Sequence, residues 1–411
     1  MEFINVNRIS LSRARVARLA VLAQLDPAQP APSAAQAVED LGAVQLDGLQ
    51  TVALAHRLTI LARMGETATV ADVDEQLWPT DAAVPARVFD VPAHAACIAG
   101  VDDWPVWAFR RDAERARRRT TLDPDRIKAV LRFVDDVGPS TLGDIETRER
   151  ERDGGMDRGE TTQGWNWSPN KRVVEHLVRS GELVVTRRRG RVRIVDLPER
   201  QISEHSSAMP PDEASRFLLL KALNRYAVAT TADLRGYFGL TSHQVHSGLK
   251  QLPNLVEVSV DGWPSDTYAT TDDLDRLDGL RLPAEPKLLG PFDNLLWDRG
   301  RTRRVFDYDY TLEAYKPQHL RQFGPYVMSL LLDSRFVGRL DVRRDGEQLR
   351  INCLFAEAAP TKPQKADSPA QDANVAITDS AGIVAEDPDD DLCKLASVAL
   401  AELEQQLRKE A

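Results

Sequence analysis

Three times along the first 270 residues the sequence passes through one order: a helical stretch, another helical stretch, then short extended runs. In the first pass Leu11, Val16, Leu19 and Leu22 recur at roughly the helical period between Ser10 and Leu25, and Asp26-Pro27 ends the run. Pro30 to Ser33 reads as a loop, and Ser33 as the cap of a helix reaching Leu41, where Gly42 breaks it and Val44 to Asp47 extends. Thr51 to Met64 reads as a further helix, although its β-branched residues pull toward strand. The second pass has a helix over Ala129 to Val134, a turn at Gly138 to Thr141, a helix over Lys171 to Arg179, and alternating runs Leu183–Thr186 and Val192–Val195 around Gly190. The third has helices at Ser215–Leu223, near Val228–Leu234 and at Thr241–Leu249, then Val256–Val260 with a turn at Gly262-Trp263-Pro264. The periods are unequal and the similarity is one of pattern, yet repetition of this order is the mark of tandem winged-helix units, a scaffold that reads duplex grooves.

From Leu288 the character changes to short strands, read at Arg303–Val305, Tyr310–Glu313, Val327–Leu332, Phe336–Val342 and Leu349–Leu354. These suggest a small antiparallel barrel or sandwich. Residues 358–390, rich in Ala, Pro and Asp and without periodicity, read as a flexible linker, and Asp391 to Lys409 as a closing helix. A chain of 411 residues exceeds one ordinary core, and 42% apolar residues suffice to fill several. There is no apolar run near eighteen residues, and Arg15 and Arg18 interrupt the early stretch; the expectation is a cytoplasmic protein without membrane span or secretory signal. Cys97, Cys353 and Cys393 and the scattered histidines lack ligand spacing, so no metal or other cofactor is expected. Nor is there a phosphate-cradling glycine loop or a nucleophile elbow.

The net charge of −10 argues against a polyanion partner until its distribution is considered. Residues 356–411 hold 12 acidic and 5 basic residues, a net of −7, which leaves the rest near neutral. Within that remainder lie three basic clusters, Arg110 to Arg132, Arg187 to Arg193 and Arg299 to Arg304. Each alone is compatible with a solvated helix or hairpin; together they bring a polyanion partner level with that reading.

The chemistry-bearing motif is Val44-Gln45-Leu46-Asp47. On a strand, residues two apart leave the same face, so Gln45 and Asp47 would converge on one small volume. A carboxylate there can take a proton or sit beside a developing cation, and an amide can orient a water without adding a second negative charge. The spacing alone fits a solvated strand face better.

Context favours the chemical reading. Leu41 to Asp47 followed by Val52 to Leu58 resembles the winged-helix DNA glycosylases of the YcaQ type. Trp165-Asn166-Trp167 through Lys171 to Leu183, closed by Asp196-Leu197-Pro198-Glu199-Arg200, is similar to a second block of that family. The third block is Gly290-Pro291-Phe292-Asp293-Asn294-Leu295-Leu296-Trp297-Asp298-Arg299, then Phe306-Asp307-Tyr308, Leu312 to Pro317, Arg321 to Tyr326 and Val337 to Asp341. The resemblance runs in order from about residue 8 to about residue 355. It implies an α+β fold of tandem winged-helix (helix-turn-helix) units packed around a small C-terminal β-barrel, with a C-shaped DNA-binding surface. The units would be 1–120 with the catalytic motif, 121–205 and 206–285, followed by the barrel at 286–357, the acidic linker at 358–390 and the helix at 391–411.

The same resemblance implies hydrolysis of the N-glycosidic bond of N7-alkylated purines, including bulky adducts, and unhooking of interstrand crosslinks in base excision repair. Gln45 and Asp47 match its Gln-x-Asp branch, with Asp47 as base and electrostatic stabiliser and Gln45 orienting the water. The partner would be double-stranded DNA carrying alkylated purines or crosslinks, with no nucleotide cofactor, and the protein a monomer. His56 and Arg57 beside the motif, Arg187, Arg188, Arg189 and Arg191 at the second hairpin, and Arg299 and Arg301 in the third block are the candidate DNA contacts. Alternatives stand beside several of these. His56 can equally be a helix histidine satisfied by a neighbour, Arg299 can be held by Asp293 or Asp298, and His94 reads as structural. Trp165, Trp167, Phe292 and Trp297 read as packing residues rather than base-stacking platforms. Two departures, Leu54 where an arginine is common and Pro92 where an aromatic is usual, bear on phosphate grip and lesion choice. The competing function is a non-catalytic winged-helix DNA-binding protein, a regulator or lesion binder.

Overall fold

The computed structural model describes residues 8–118, 122–152, 167–202, 207–346, 348–357, 374–376 and 390–408. In chain order β1 (Ile9–Leu11) and α1 (Arg13–Leu22) lead to α2 (Ala34–Leu41), β2 (Val44–Gln45), α3 (Ala55–Leu61), α4 (Val70–Leu77), the hairpin β3 (Val88–Pro92) and β4 (Ala96–Gly100), and α5 (Ala108–Arg118). Next come α6 (Pro124–Val137), β5 (Ser140–Thr141), α7 (Leu142–Arg152), α8 (Pro169–Ser180) and the hairpin β6 (Val184–Arg189) and β7 (Val192–Asp196). The third set is α9 (Pro211–Tyr226), β8 (Ala229–Thr230), α10 (Thr231–Phe238), α11 (Ser242–Leu249), β9 (Leu255–Val260), β10 (Thr267–Thr270) and α12 (Thr271–Asp278). The remainder is β11 (Lys287–Leu289), α13 (Arg299–Phe306), β12 (Val327–Leu332), β13 (Arg335–Asp345), β14 (Gln348–Ala356), β15 (Asn374–Ala376) and α14 (Asp390–Leu407). The fold is mixed α+β.

Each of the three sets folds a small sheet, ordered β2-β4-β3, β5-β7-β6 and β1-β9-β10-β8. The last departs from the linear division of the chain. β1 pairs in parallel with β9, and α1 buries Val16, Leu19 and Leu22 against Val228, Val258 and Leu277, so residues 9–22 pack as part of the third set. The second set has a core of its own, built on Val134, Val173, Leu177, Leu183 and Val195. The first set shares a core with the C-terminal sheet and α14, in which Val38, Leu61 and Leu77 meet Met328, Leu340, Val342 and Leu403.

The C-terminal sheet is antiparallel in the order β11-β12-β13-β14-β15. Among the described residues its outer strands do not pair with each other, so the expected closed barrel is an open five-stranded sheet. α14 lies on it, burying Ala396, Ala399, Leu403 and Leu407, while Glu404 accepts from the Leu349 N–H at 2.7 Å. Of the expected linker, only Asn374–Ala376, paired with β14, and Asp390, in α14, fall within the described residues.

Two expected strands are corrected. Arg303–Val305 lies inside α13, whose N-cap Asp298 accepts from the Arg301 N–H at 2.9 Å and whose last turn carries Arg303 and Arg304, favourable at the negative helix end. Tyr310–Glu313 forms no strand. Tyr308 and Tyr310 are buried between exposed neighbours and Glu313 between part-exposed ones, a near-alternation that mimics a strand. Their partners, however, come through side chains: Tyr310 Oη donates to the Val327 carbonyl at 2.6 Å, and Tyr308 Oη pairs with Ser329 Oγ at 2.8 Å.

Candidate active site

The segment carrying Gln45 and Asp47 is locked before it reaches them. Ser33 caps α2, accepting from the Gln36 N–H at 3.1 Å, and Gly42 ends it at φ +74°. A side chain at 42 would meet Lys221 and Phe238 at 2.8 Å, so both the left-handed turn and the close approach demand glycine. Ala43 and Val44 are fully buried. The third sequence block holds this stretch from outside: Asn294 Nδ2 donates to the Ala43 carbonyl at 3.0 Å and to Tyr237 Oη at 2.9 Å, and Tyr237 Oη donates to the Leu41 carbonyl at 2.8 Å. Beside it, buried Asp293 takes a two-pronged ion pair from Arg63, which also donates to the Thr59 carbonyl at 2.9 Å and to Gln24 at 3.0 Å. Asp293 thus binds Arg63 rather than Arg299.

β2 is only two residues long, with Val44 opposite Ile98 and Gln45 opposite Cys97, and the Leu46 N–H adds one more bond to the Ala96 carbonyl at 2.8 Å. Asp47 therefore lies beyond the strand, and pleat alternation does not set its direction. Its Oδ1 accepts from the Leu49 N–H at 2.8 Å, an Asx-type turn that aims the carboxylate locally. Both residues are part-exposed, unlike the buried backbone before them. The β3–β4 turn carries His94 to Gln45, with Nε2 to Oε1 at 3.3 Å, and sets the imidazole edge-on to Trp297 at 4.1 Å. Trp297 also meets Tyr237 at 4.9 Å and donates to Tyr226 Oη at 3.1 Å, so it packs as read. Burial lowers the His94 pKa, opposed by the Tyr237 backbone and the Asp298 charge. Near Asp47 lies Tyr326, fully buried with a hydroxyl that has no hydrogen-bond partner among the described residues; burial, and the neighbouring Tyr310 and Asp47, push its pKa up.

The expected DNA contacts divide sharply. At the β6–β7 hairpin tip, Arg191 Nη2 donates to the Gly48 carbonyl at 2.8 Å, which brings the tip directly beside Asp47. Arg189 stands exposed next to it. Arg187 is turned to the Pro79 and Asp81 carbonyls, at 3.1 and 2.9 Å. Arg188 grips Asp90 at 2.6 and 2.7 Å and lies over Trp78 at 4.9 Å. Arg57 is held by Asp74 at 2.8 Å. His56 is 3% exposed and sits edge-on to Trp78 at 5.6 Å. Burial, then the charges of Arg188 and Arg57, lower its pKa to about 3. A neutral, enclosed imidazole offers no cation to a phosphate, so its place here is in packing. Arg301 is likewise buried, bonded to the Val228 and Tyr226 carbonyls at 2.8 and 2.9 Å and to Asp233 at 3.3 Å. Arg299 donates to the Leu296 and Pro291 carbonyls at 2.5 and 2.6 Å and lies over Tyr310. The third basic cluster is thus largely structural. Among the described residues no group of His, Cys, Asp and Glu could hold a metal, and no helix is long and apolar enough to cross a membrane.

The sequence reading took His94 as structural and did not single out Tyr326 or the Tyr237–Asn294 clamp. Asn294 stood in a legible block, but no local signal joins residue 94 to residue 45, since strand pairing alone brings them together. A protein-family model described as "DNA glycosylase AlkZ-like" matches residues 38–376. The DNA glycosylase AlkZ of Streptomyces sahachiroi is similar in structure, with a TM-score of 0.60 at 17% identity over 97% of each chain, a likeness of fold.

Proposed function

The chain belongs to the AlkZ-like DNA glycosylase family, and from that premise we propose that it hydrolyses the N-glycosidic bond of N7-alkylated purines in duplex DNA, bulky adducts and interstrand crosslinks included. The observation that carries this reading is the mounting of Gln45 and Asp47. Both are part-exposed at the end of a strand whose preceding backbone is buried and clamped, and the Arg191 tip touches the very next residue. Such a mounting suits groups that must meet a substrate in a fixed geometry.

N7 alkylation places positive charge on the purine, so the C1′–N9 bond breaks with its electron pair passing to the base, which leaves neutral and needs no added proton. The sugar acquires oxocarbenium character. Asp47 stabilises that charge and accepts a proton from the water whose oxygen bonds to C1′, while Gln45 holds the water. One carboxylate is enough because the leaving group is already activated. Bulk on the base costs little if reactivity rather than a tight base pocket discriminates. The three repeated sets, read as winged helices, and the Arg189–Arg191 tip supply the grip on the duplex, with the protein acting as a monomer.

The test is release of 7-methylguanine, and unhooking of an N7-guanine crosslink, by the wild type beside Asp47→Asn and Gln45→Ala. Asp47→Asn is expected to lower the rate by roughly 10²–10⁴-fold with DNA affinity retained. DNA binding by the wild type without base release on either substrate would favour the non-catalytic reading.

A further inference from the structure

His94 takes no part in the chemistry just described, yet the fold spends a hairpin turn, an aromatic ring and a glycine on placing it. Its imidazole is supported by Trp297, itself anchored to Tyr226. The turn is seated against the end of α10, where a side chain at Gly239 would come within 3.1 Å of the Ala93 carbonyl. Its Nε2 lies 3.3 Å from Gln45 Oε1. An amide side chain has two ends of nearly equal shape and opposite polarity, and without a partner on one end it samples both. A ring nitrogen bearing a proton donates, and only the oxygen end of the amide can accept.

We infer that His94 is a positioning residue for the hydrolysis: its Nε2–H, donated to Gln45 Oε1, turns the amide so that the NH2 end is what Gln45 offers to the attacking water. This rests on the assignment of Gln45 and Asp47 made above. The water is then held between an amide donor and a carboxylate acceptor, which leaves one oxygen lone pair free for C1′. Reversal of the amide would present two acceptors to the water and no donor.

Single-turnover release of 7-methylguanine by the full-length chain tests this with three variants and their combinations. His94→Phe keeps a ring against Trp297 and removes the donor; His94→Gln restores an N–H at a similar reach. The first is expected to slow base release about tenfold at unchanged DNA affinity and melting temperature, and the second to recover part of the loss. In a Gln45→Ala background His94→Phe is expected to have no further effect, since the residue it acts through is gone. A His94→Phe enzyme at the wild-type rate, or a loss that multiplies in full onto that of Gln45→Ala, overturns the inference while leaving the glycosylase reading intact. Should His94→Phe melt early, the same comparison made with His94→Gln in both backgrounds decides it. A wild type that releases no base overturns the functional reading and this inference together.

Discussion

Tyr237 Oη stands between the Leu41 carbonyl and the Asn294 amide, and all three groups are buried. Tyr237→Phe removes one oxygen, leaving the Leu41 carbonyl without its side-chain donor and one of the two Asn294 N–H groups without an acceptor, which should cost about 1–3 kcal/mol in urea unfolding. The same change loosens the backbone immediately before Gln45, so base release should fall more than DNA affinity does. Retention of full activity would mean that the clamp serves stability alone. His56 makes a different prediction, about pH. Its folded pKa, near 3, lies far below that of an exposed histidine, so as pH drops below about 6.5 the unfolded chain takes up a proton that the folded one refuses. Stability contributed by the neutral ring is complete above that pH and declines toward pH 3, by up to about 1.4 kcal/mol per pH unit. Melting temperature followed from pH 7 to 5 should fall less steeply for His56→Phe than for the wild type. Equal slopes would show that His56 does not carry this dependence. The residue type was legible in the sequence, but the enclosure by Trp78, Arg57 and Arg188 that fixes its state was not.

The helices were read with their ends where a cap or glycine marked them, because capping is chemistry between near neighbours. Ser33 and Gly42 bound α2, and Thr241 begins α11 by accepting from the Gln244 N–H at 3.2 Å. α13 was missed since three residues are too few for a period and its cap, Asp298, had been weighed as a partner for Arg299. Basic clusters misled for a related reason: sequence counts cations without counting their partners. In the Arg110–Arg132 stretch, Arg110 donates to the Phe238 carbonyl at 3.0 Å, Arg111 to that of Trp104 at 2.8 Å and Arg115 to that of Ser180 at 2.9 Å, which glue α5 to its neighbours. The β6–β7 tip is the phosphate contact proposed above. Arg189→Ala with Arg191→Ala should lower the slope of log affinity against log salt by about 1.8, roughly 0.9 per lost contact. An unchanged slope would move the DNA contact elsewhere. Deeper in the same hairpin, Asp90→Ala leaves the part-buried Arg188 without its carboxylate and is expected to destabilise by about 1–3 kcal/mol on chemical denaturation.

At the level of the whole molecule the acidic C-terminal region divides into two roles. On sequence alone, deletion of 358–411 would be expected to tighten nonspecific DNA binding by removing negative charge. α14, however, completes the core over the sheet, and its Leu403 and Leu407 are buried with Leu340, Val342 and Leu354. Removal from Asp390 onward should cost about 3–6 kcal/mol, taking each leucine at roughly 1.5–3 kcal/mol, and should be seen as a lower urea midpoint. A truncated chain of wild-type stability would deny α14 its place in the core. What the sequence determined by itself was whatever rests on neighbours along the chain: helix periods, caps, the Gly42 stop, the β6–β7 hairpin and the Gln-x-Asp motif within blocks of a recognisable family. What only the tertiary structure decided rests on contacts between distant residues. β1 joins the sheet of the third set, Asn294 reaches Ala43, His94 reaches Gln45, and arginines such as Arg63, Arg188 and Arg301 are held by carbonyls and carboxylates of other elements. Hydrogen bonds and ion pairs act over a few ångströms of space with no regard for separation along the chain, so the candidate pair was legible while its surroundings had to await the fold.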